Sequence, residues 1–295
     1  MNYFVQIAVS CWVVGAVQVH AARPPSELTG HLTSAGSQSA APQAKASSAR
    51  GNAKEIEIAW SDDAGAARAW LLTPSGAKKH PLVVFLHAEG ASANARSFVE
   101  EGVLLAGDGI ASLHVELPLS AAANPGANDG VAIAQAARRA QHALAWARSQ
   151  AGVNGERVGV VGHRYGAMVG TILTAMDTKI DAIALLAPPG KPSGWLQVSE
   201  RPASTRLRES YDKSSWGPYL YGLAKFDTEV WMPYTVHAKA FFQFASQDDW
   251  TTTMEQVDLW RATKGAKERH TYEADSNLND EARVARLAWL KRVMK

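Results

Sequence analysis

Cysteine is almost missing from this chain: Cys11 is the single one in 295 residues. If the first 22 residues are removed, no thiol remains, which excludes a disulfide, a thiolate nucleophile and any cysteine-containing metal site. An excess of one charge is missing too. The 30 basic and 28 acidic residues are dispersed and leave a net charge of +2, so there is no electrostatic footprint for nucleic acid. No apolar stretch has the length of a membrane span; the run from Phe4 to Val19 is interrupted by Gln6 and Gln18 and is short for that purpose. The nine histidines show neither H-x-x-E-H nor another paired-ligand spacing, so neither a metal nor any other cofactor is expected. Internal repeats are absent as well.

What is present begins with a hydrophobic content of 46%, ample for a buried core. Residues 1–22 have the make-up of an export signal, with small residues at the cleavage-type positions in Val19-His20-Ala21. This predicts an exported protein with no stable membrane span after cleavage; the alternative is an uncleaved N-terminal anchor. Residues 23–53 are rich in Pro, Ser, Ala and Gln without apolar period, and predict a flexible tether.

The folded region is placed at 54–295. Alternation in Glu55–Trp60, a turn at Asp62-Asp63 and Gly65, and a second run at Ala67–Leu72 predict an antiparallel hairpin. Pro81–Leu86 is continuously apolar, as expected of a strand buried on both faces, and Ile110–Val115, Val158–Val161, Ala182–Leu186 and Ala240–Phe244 are similar. Helical periods lie between them at Phe98–Ala106, Val131–Gln150, Tyr165–Met176, Thr252–Thr263 and Asp280–Met294. Strands alternating with helices predict an α/β fold with a mostly parallel sheet covered on both faces, and a crevice beyond the carboxyl ends of the strands. Residues 190–236 break the rhythm. Their Gly, Pro, Trp and Tyr content predicts a loop-rich cap, with aromatics that serve packing more than ligand contact.

Arg157–Gly170 runs as strand, sharp turn and helix around Gly162-x-Arg164-x-Gly166. This is the build of a nucleophile elbow with arginine where the attacking side chain belongs. Together with Leu86-His87-Ala88-Glu89-Gly90, Ser246-Gln247-Asp248 and Glu273-Ala274-Asp275-Ser276, each after a strand, it makes the whole of 54–295 resemble the α/β-hydrolase superfamily, nearest to bacterial esterases and dienelactone-hydrolase-like proteins. The resemblance implies acyl transfer by a nucleophile, an acid and a histidine in that chain order. Carried over residue by residue, it puts Arg164 at the nucleophile position, Asp248 at the acid position with Asp249 as fallback, and Ser276 at the histidine position. The backbone N–H groups of Ala88 and Tyr165 fall at the oxyanion positions.

A guanidinium has no lone pair to attack with, and a serine cannot replace an imidazole as base. Two of the three side chains are therefore chemically wrong. His270 lies on the extended last strand, roughly 20 Å from the Ser276 loop at ~3.3 Å per residue. His163 flanks the elbow but is expected to turn away from the mouth, and His87 is expected to serve the oxyanion loop structurally. Ser92 and Ser246 are hydroxyls without a base in view. Arg164 is expected to pair with Asp248 or Glu89, or to meet a ligand's anionic group. The function expected is a non-catalytic protein that binds a small acidic or ester-like molecule. Its alternatives are an active ester hydrolase with a displaced site and a purely partner-binding module.

Overall fold

Alternating strand and helix periods close into one nine-stranded sheet, ordered β1-β2-β3-β5-β4-β6-β7-β8-β9, in a computed structural model that describes residues 23–30, 32, 40–76, 78–90, 94–118 and 129–295. The strands are β1 (Gln43–Arg50), β2 (Ala53–Asp62), β3 (Gly65–Pro74), β4 (His80–Leu86), β5 (Ala111–Val115), β6 (Val153–His163), β7 (Ile180–Leu186), β8 (Lys239–Ala245) and β9 (Lys267–Tyr272). The pairs β1–β2, β2–β3 and β3–β5 are antiparallel; every pair from β5 through β4, β6, β7 and β8 to β9 is parallel.

The inner parallel strands read as largely apolar runs because both of their faces are covered, whereas the edge strand β9 is polar and mostly exposed. Along β4, Leu82, Val84 and Leu86 join one buried cluster while Val83 and Phe85 join the other, the period of two expected of a strand. The first cluster includes residues of the helices Asp129–Arg148 and Tyr165–Met176; the second includes residues of Val99–Gly107 and Asp280–Val293. Among the described residues no helix is long and apolar enough to cross a membrane.

The 23–53 segment departs from the expected tether. Gln43–Arg50 forms β1, paired along its length with β2 from Gln43↔Ala59 to Arg50↔Ala53. Its side chains are exposed almost throughout, so its place in the sheet rests on main-chain hydrogen bonds and leaves no alternation in the sequence. The export-signal residues 1–22 and Ser92 lie outside the described residues.

Residues 190–236 contain the short helices Pro192–Trp195, Pro202–Glu209, Lys213–Ala224 and Thr228–Trp231, so the excursion is more helical than its composition indicates. Two of its prolines, Pro192 and Pro202, open helices, where a missing N–H removes no hydrogen bond. Asp212 caps the third helix by accepting from the N–H groups of Ser214 and Ser215. Trp231 and Tyr219 are fully buried, and Tyr211, Trp216 and Tyr219 pack ring on ring.

Candidate functional site

The elbow is where β6 meets the helix Tyr165–Met176. Arg164 holds φ 53° and ψ −116°, a left-handed backbone that a side-chain-bearing residue adopts only under constraint. The constraint is visible: Arg164 N–H donates to Leu186 O at 2.9 Å, and its own carbonyl accepts from Ala167 N–H at 2.8 Å. A Cβ on Gly162 would stand 2.4 Å from Gly166 O, and one on Gly166 would stand 2.3 Å from Leu86 O. Both glycines are thus demanded by the close approach of strand and helix.

From that turn the Arg164 side chain reaches into the crevice. Its Nε and Nη2 lie 2.7 and 2.6 Å from the same oxygen of Glu89, Oε1. The other oxygen, Oε2, accepts from Tyr165 N–H at 3.1 Å. Arg164 Nη1 donates to Ser276 Oγ at 2.9 Å, and the guanidinium lies over the Trp250 ring, 4.8 Å from its centroid. Of the two carboxylates expected to compete for Arg164, Glu89 therefore takes the hydrogen bonds. Burial pushes the Glu89 carboxyl up, but the charge and hydrogen bonds of Arg164 outweigh it and hold it below its ordinary value. Arg164 is raised in turn: burial alone would lower it, and Glu89 more than offsets that.

Asp248 is 2% exposed and accepts from Trp250 N–H and Thr251 Oγ, each at 2.9 Å. Burial raises its carboxyl above the ordinary value, against the pull of those donors and of the Arg164 charge. Asp249 instead pairs at the surface with Arg206, so Asp248 is the carboxylate turned inward. Ser276 is buried at the tip of the loop after β9, and its Oγ meets the guanidinium.

His163 departs from expectation. It lines the crevice, and its Nε2 lies 2.7 Å from the Ser276 carbonyl oxygen, which can only accept, so Nε2 carries the proton. Burial, aided by the Arg164 charge, depresses it to about 4, and the ring is neutral at pH 7. Period two does turn His163 away from Arg164, but the Ser276 loop descends on that same face of β6. Its bond goes to a carbonyl, so it does not prime the Ser276 hydroxyl.

His87 and His270 are engaged elsewhere. His87 Nε2 accepts from Leu117 N–H at 2.9 Å and its Nδ1 donates to Ala88 O at 2.6 Å, which braces the loop that carries Ala88 and Glu89. His270 is exposed on β9 beside Glu281. Ser246 is exposed at the end of β8. A hydroxyl–imidazole pair does occur between Ser112 and His114, at 2.9 Å, but both residues are wholly buried on β5. Among the described residues no group of three or more His, Cys, Asp or Glu could hold a metal ion.

Above Arg164 lies a basin of about 750 Å³ whose walls include Ala88, Phe98, His163, Trp250, Asn277 and Arg286. Trp250 and the buried pair Arg286–Glu101 were not singled out in the sequence. Trp250 lies two residues after Asp248 in the same loop, and that nearness to the acid position is the signal that could find it. Arg286 sits on an ordinary helical period and carries no such signal.

No protein-family model matches the sequence, and no curated protein matches it. Solved structures do resemble it. Acetyl xylan esterase from Paenibacillus sp. R4 superposes with a TM-score of 0.72 at 15% identity, covering 91% of this chain and 92% of that one. Acetyl xylan esterase 1 from Thermoanaerobacterium sp. JW/SL YS485 gives 0.70 at 8% identity, with 92% and 95% covered. An alpha/beta hydrolase from Penicillium sp. sh18 gives 0.59 at 16% identity, with 81% and 99% covered. With the strand order and the elbow already described, these likenesses establish that the chain has the α/β-hydrolase fold.

Proposed function

We propose that this protein is a non-catalytic binding protein for a small acidic or ester-like molecule, built on an esterase-like α/β-hydrolase fold. The observation that carries the reading is Arg164, a permanent cation at the tip of the elbow, with Glu89 on the Tyr165 N–H. Acyl transfer needs an attacking oxygen, a base to prime it and free donors for the developing oxyanion. Here the first position is a guanidinium, the second is the Ser276 hydroxyl, and the oxyanion donor is taken by a carboxylate. The basin offers room for a small molecule, and residues 1–22 favour export. Since two of the structural neighbours are acetyl xylan esterases, acetylated sugars belong among the ligands to be screened.

Treating the purified chain with a fluorophosphonate probe tests the reading. The expected result is no labelled serine and no turnover of short acyl esters; a labelled serine, or ester turnover that survives purification, would sink it. In a second arm, Arg164→Ser with Ser276→His should remain inert because Glu89 still fills the oxyanion position. Adding Glu89→Ala should bring measurable hydrolysis of acetyl esters.

A further inference from the structure

Glu89 is held as a bound carboxylate would be. One oxygen is chelated by two nitrogens of Arg164 at 2.7 and 2.6 Å, and the other takes the Tyr165 N–H at 3.1 Å. Only the tether to the backbone separates this arrangement from a ligand complex. We infer that the crevice is a binding site for short-chain monocarboxylates, at present filled by the chain's own Glu89, which a free carboxylate replaces at Arg164 and the Tyr165 N–H. The inference rests on the non-catalytic reading above and names its ligand class.

Three features support the exchange. Replacing one carboxylate by another leaves the charge around Arg164 unchanged, so the largely buried guanidinium is never left alone. The displaced Glu89 has somewhere to go, because it borders the 750 Å³ basin as well as the Arg164 pair. A place for one ligand oxygen adjoins the head site, the carbon tail being left to the basin: a small cavity of about 20 Å³, enough for a water-sized group, lies beside Arg164, Glu89 and Tyr165. It is walled by Ala187, Pro189, Pro192, Trp195, Leu196 and Trp250. Trp195 is 7% exposed, and its indole Nε1 has no hydrogen-bond partner among the described residues. A buried donor left without an acceptor is uncommon and disfavoured. A carboxylate with an oxygen on its second carbon would supply one.

The test uses the full chain, the variants Glu89→Ala and Glu89→Gln, and each of them combined with Arg164→Ala. Binding of 13C-labelled propionate and pyruvate is followed by NMR line broadening, and melting is compared in sodium propionate and sodium chloride at equal ionic strength. While Glu89 fills the site in nine molecules of ten or more, its removal should tighten propionate binding by about tenfold or more. Glu89→Gln, which keeps an acceptor for Tyr165 N–H but loses the charge, should tighten it by a smaller factor. Arg164→Ala should abolish both gains, and pyruvate should bind more tightly than propionate. Should Glu89→Ala fail to fold, the Glu89→Gln pair of variants carries the comparison alone. Equal responses with and without Arg164, or chloride acting as well as propionate, would overturn the inference. A preference for propionate over pyruvate would overturn it for the Trp195 cavity. Labelling by the fluorophosphonate would instead sink the non-catalytic reading and leave the carboxylate result to be judged on its own.

Discussion

Two arginine–glutamate pairs wall the same basin, and they are built differently. Arg286 spreads its fork over both oxygens of Glu101, Nε to Oε2 at 3.0 Å and Nη2 to Oε1 at 2.5 Å, and gives Nη1 to Gln243 at 2.6 Å. Gln243 in turn donates to the Tyr272 hydroxyl and the Ala282 carbonyl, so the network is closed by β8, β9 and two helices. Arg164 puts two nitrogens on one oxygen of Glu89, because the other oxygen is committed to the elbow's N–H. The side chains of the first pair are 5% and 6% exposed; those of the second are 13% and 7%. Regular elements hold the first pair, whereas loop tips and a strained turn hold the second. The same chemistry thus serves as a brace in one place and as an occupant of a ligand site in the other.

Breaking each pair from its arginine side should expose that difference. Arg286→Ala takes both nitrogens from the Glu101 carboxylate, 6% exposed, and the Nη1 donor from Gln243, so a buried charge and a network are left open and a loss of about 3–5 kcal/mol in denaturant unfolding is expected. Arg164→Ala leaves Glu89 its hydrogen bond from Tyr165 N–H, on a loop beside the basin that is free to turn, and a loss of about 1–2 kcal/mol is expected. If the two losses came out equal, or reversed, the distinction between brace and occupant would be lost.

Acid should reach the site through His163 before it reaches Glu89. The folded-state value of His163 is depressed to about 4, below its ordinary 6.5. The unfolded chain therefore binds the extra proton first, and stability falls as pH drops from 6.5 towards 4. Glu89 is also depressed, so its contribution is intact above its ordinary value of 4.5 and is lost only below it. His163→Gln keeps a donor for the Ser276 carbonyl but cannot titrate. It should reduce the slope of stability against pH between 6.5 and 4.5 by about 1 kcal/mol per pH unit. An unchanged slope would mean that burial does not hold His163 below its ordinary value.

How far the sequence could be read follows from which forces decide each feature. The inner strands β4 to β8 are legible because burial on both faces leaves few polar residues, and Ser112, His114 and Gln243 are buried with hydrogen-bond partners. Strand β1 is not legible, because hydrogen bonds between main chains leave no mark on side-chain identity. Arginine at the elbow and serine at the loop tip were legible because each is a matter of residue type at a fixed turn. Which carboxylate Arg164 would take was left open between Glu89 and Asp248, since it depends on where the Tyr165 N–H points. His163 differs from expectation for the same reason: strand period gives its direction along β6, but not the path of the Ser276 loop.

The smallest effect separates the backbone of the elbow from its side chain. Arg164→Gly and Arg164→Ala both remove the guanidinium and leave Glu89 in the same condition, so their difference isolates the turn itself. At φ 53° and ψ −116° a Cβ is strained by about 1–3 kcal/mol, and glycine escapes that strain. Glycine in return gives the unfolded chain more freedom, a loss of about 0.5–1 kcal/mol relative to alanine. The balance favours Arg164→Gly by about 1 kcal/mol in chemical denaturation. Were alanine as good as glycine, the strain would only match glycine's entropy cost of about 0.5–1 kcal/mol, and the weaker footing of this pair would have to come chiefly from its place on loops beside the basin.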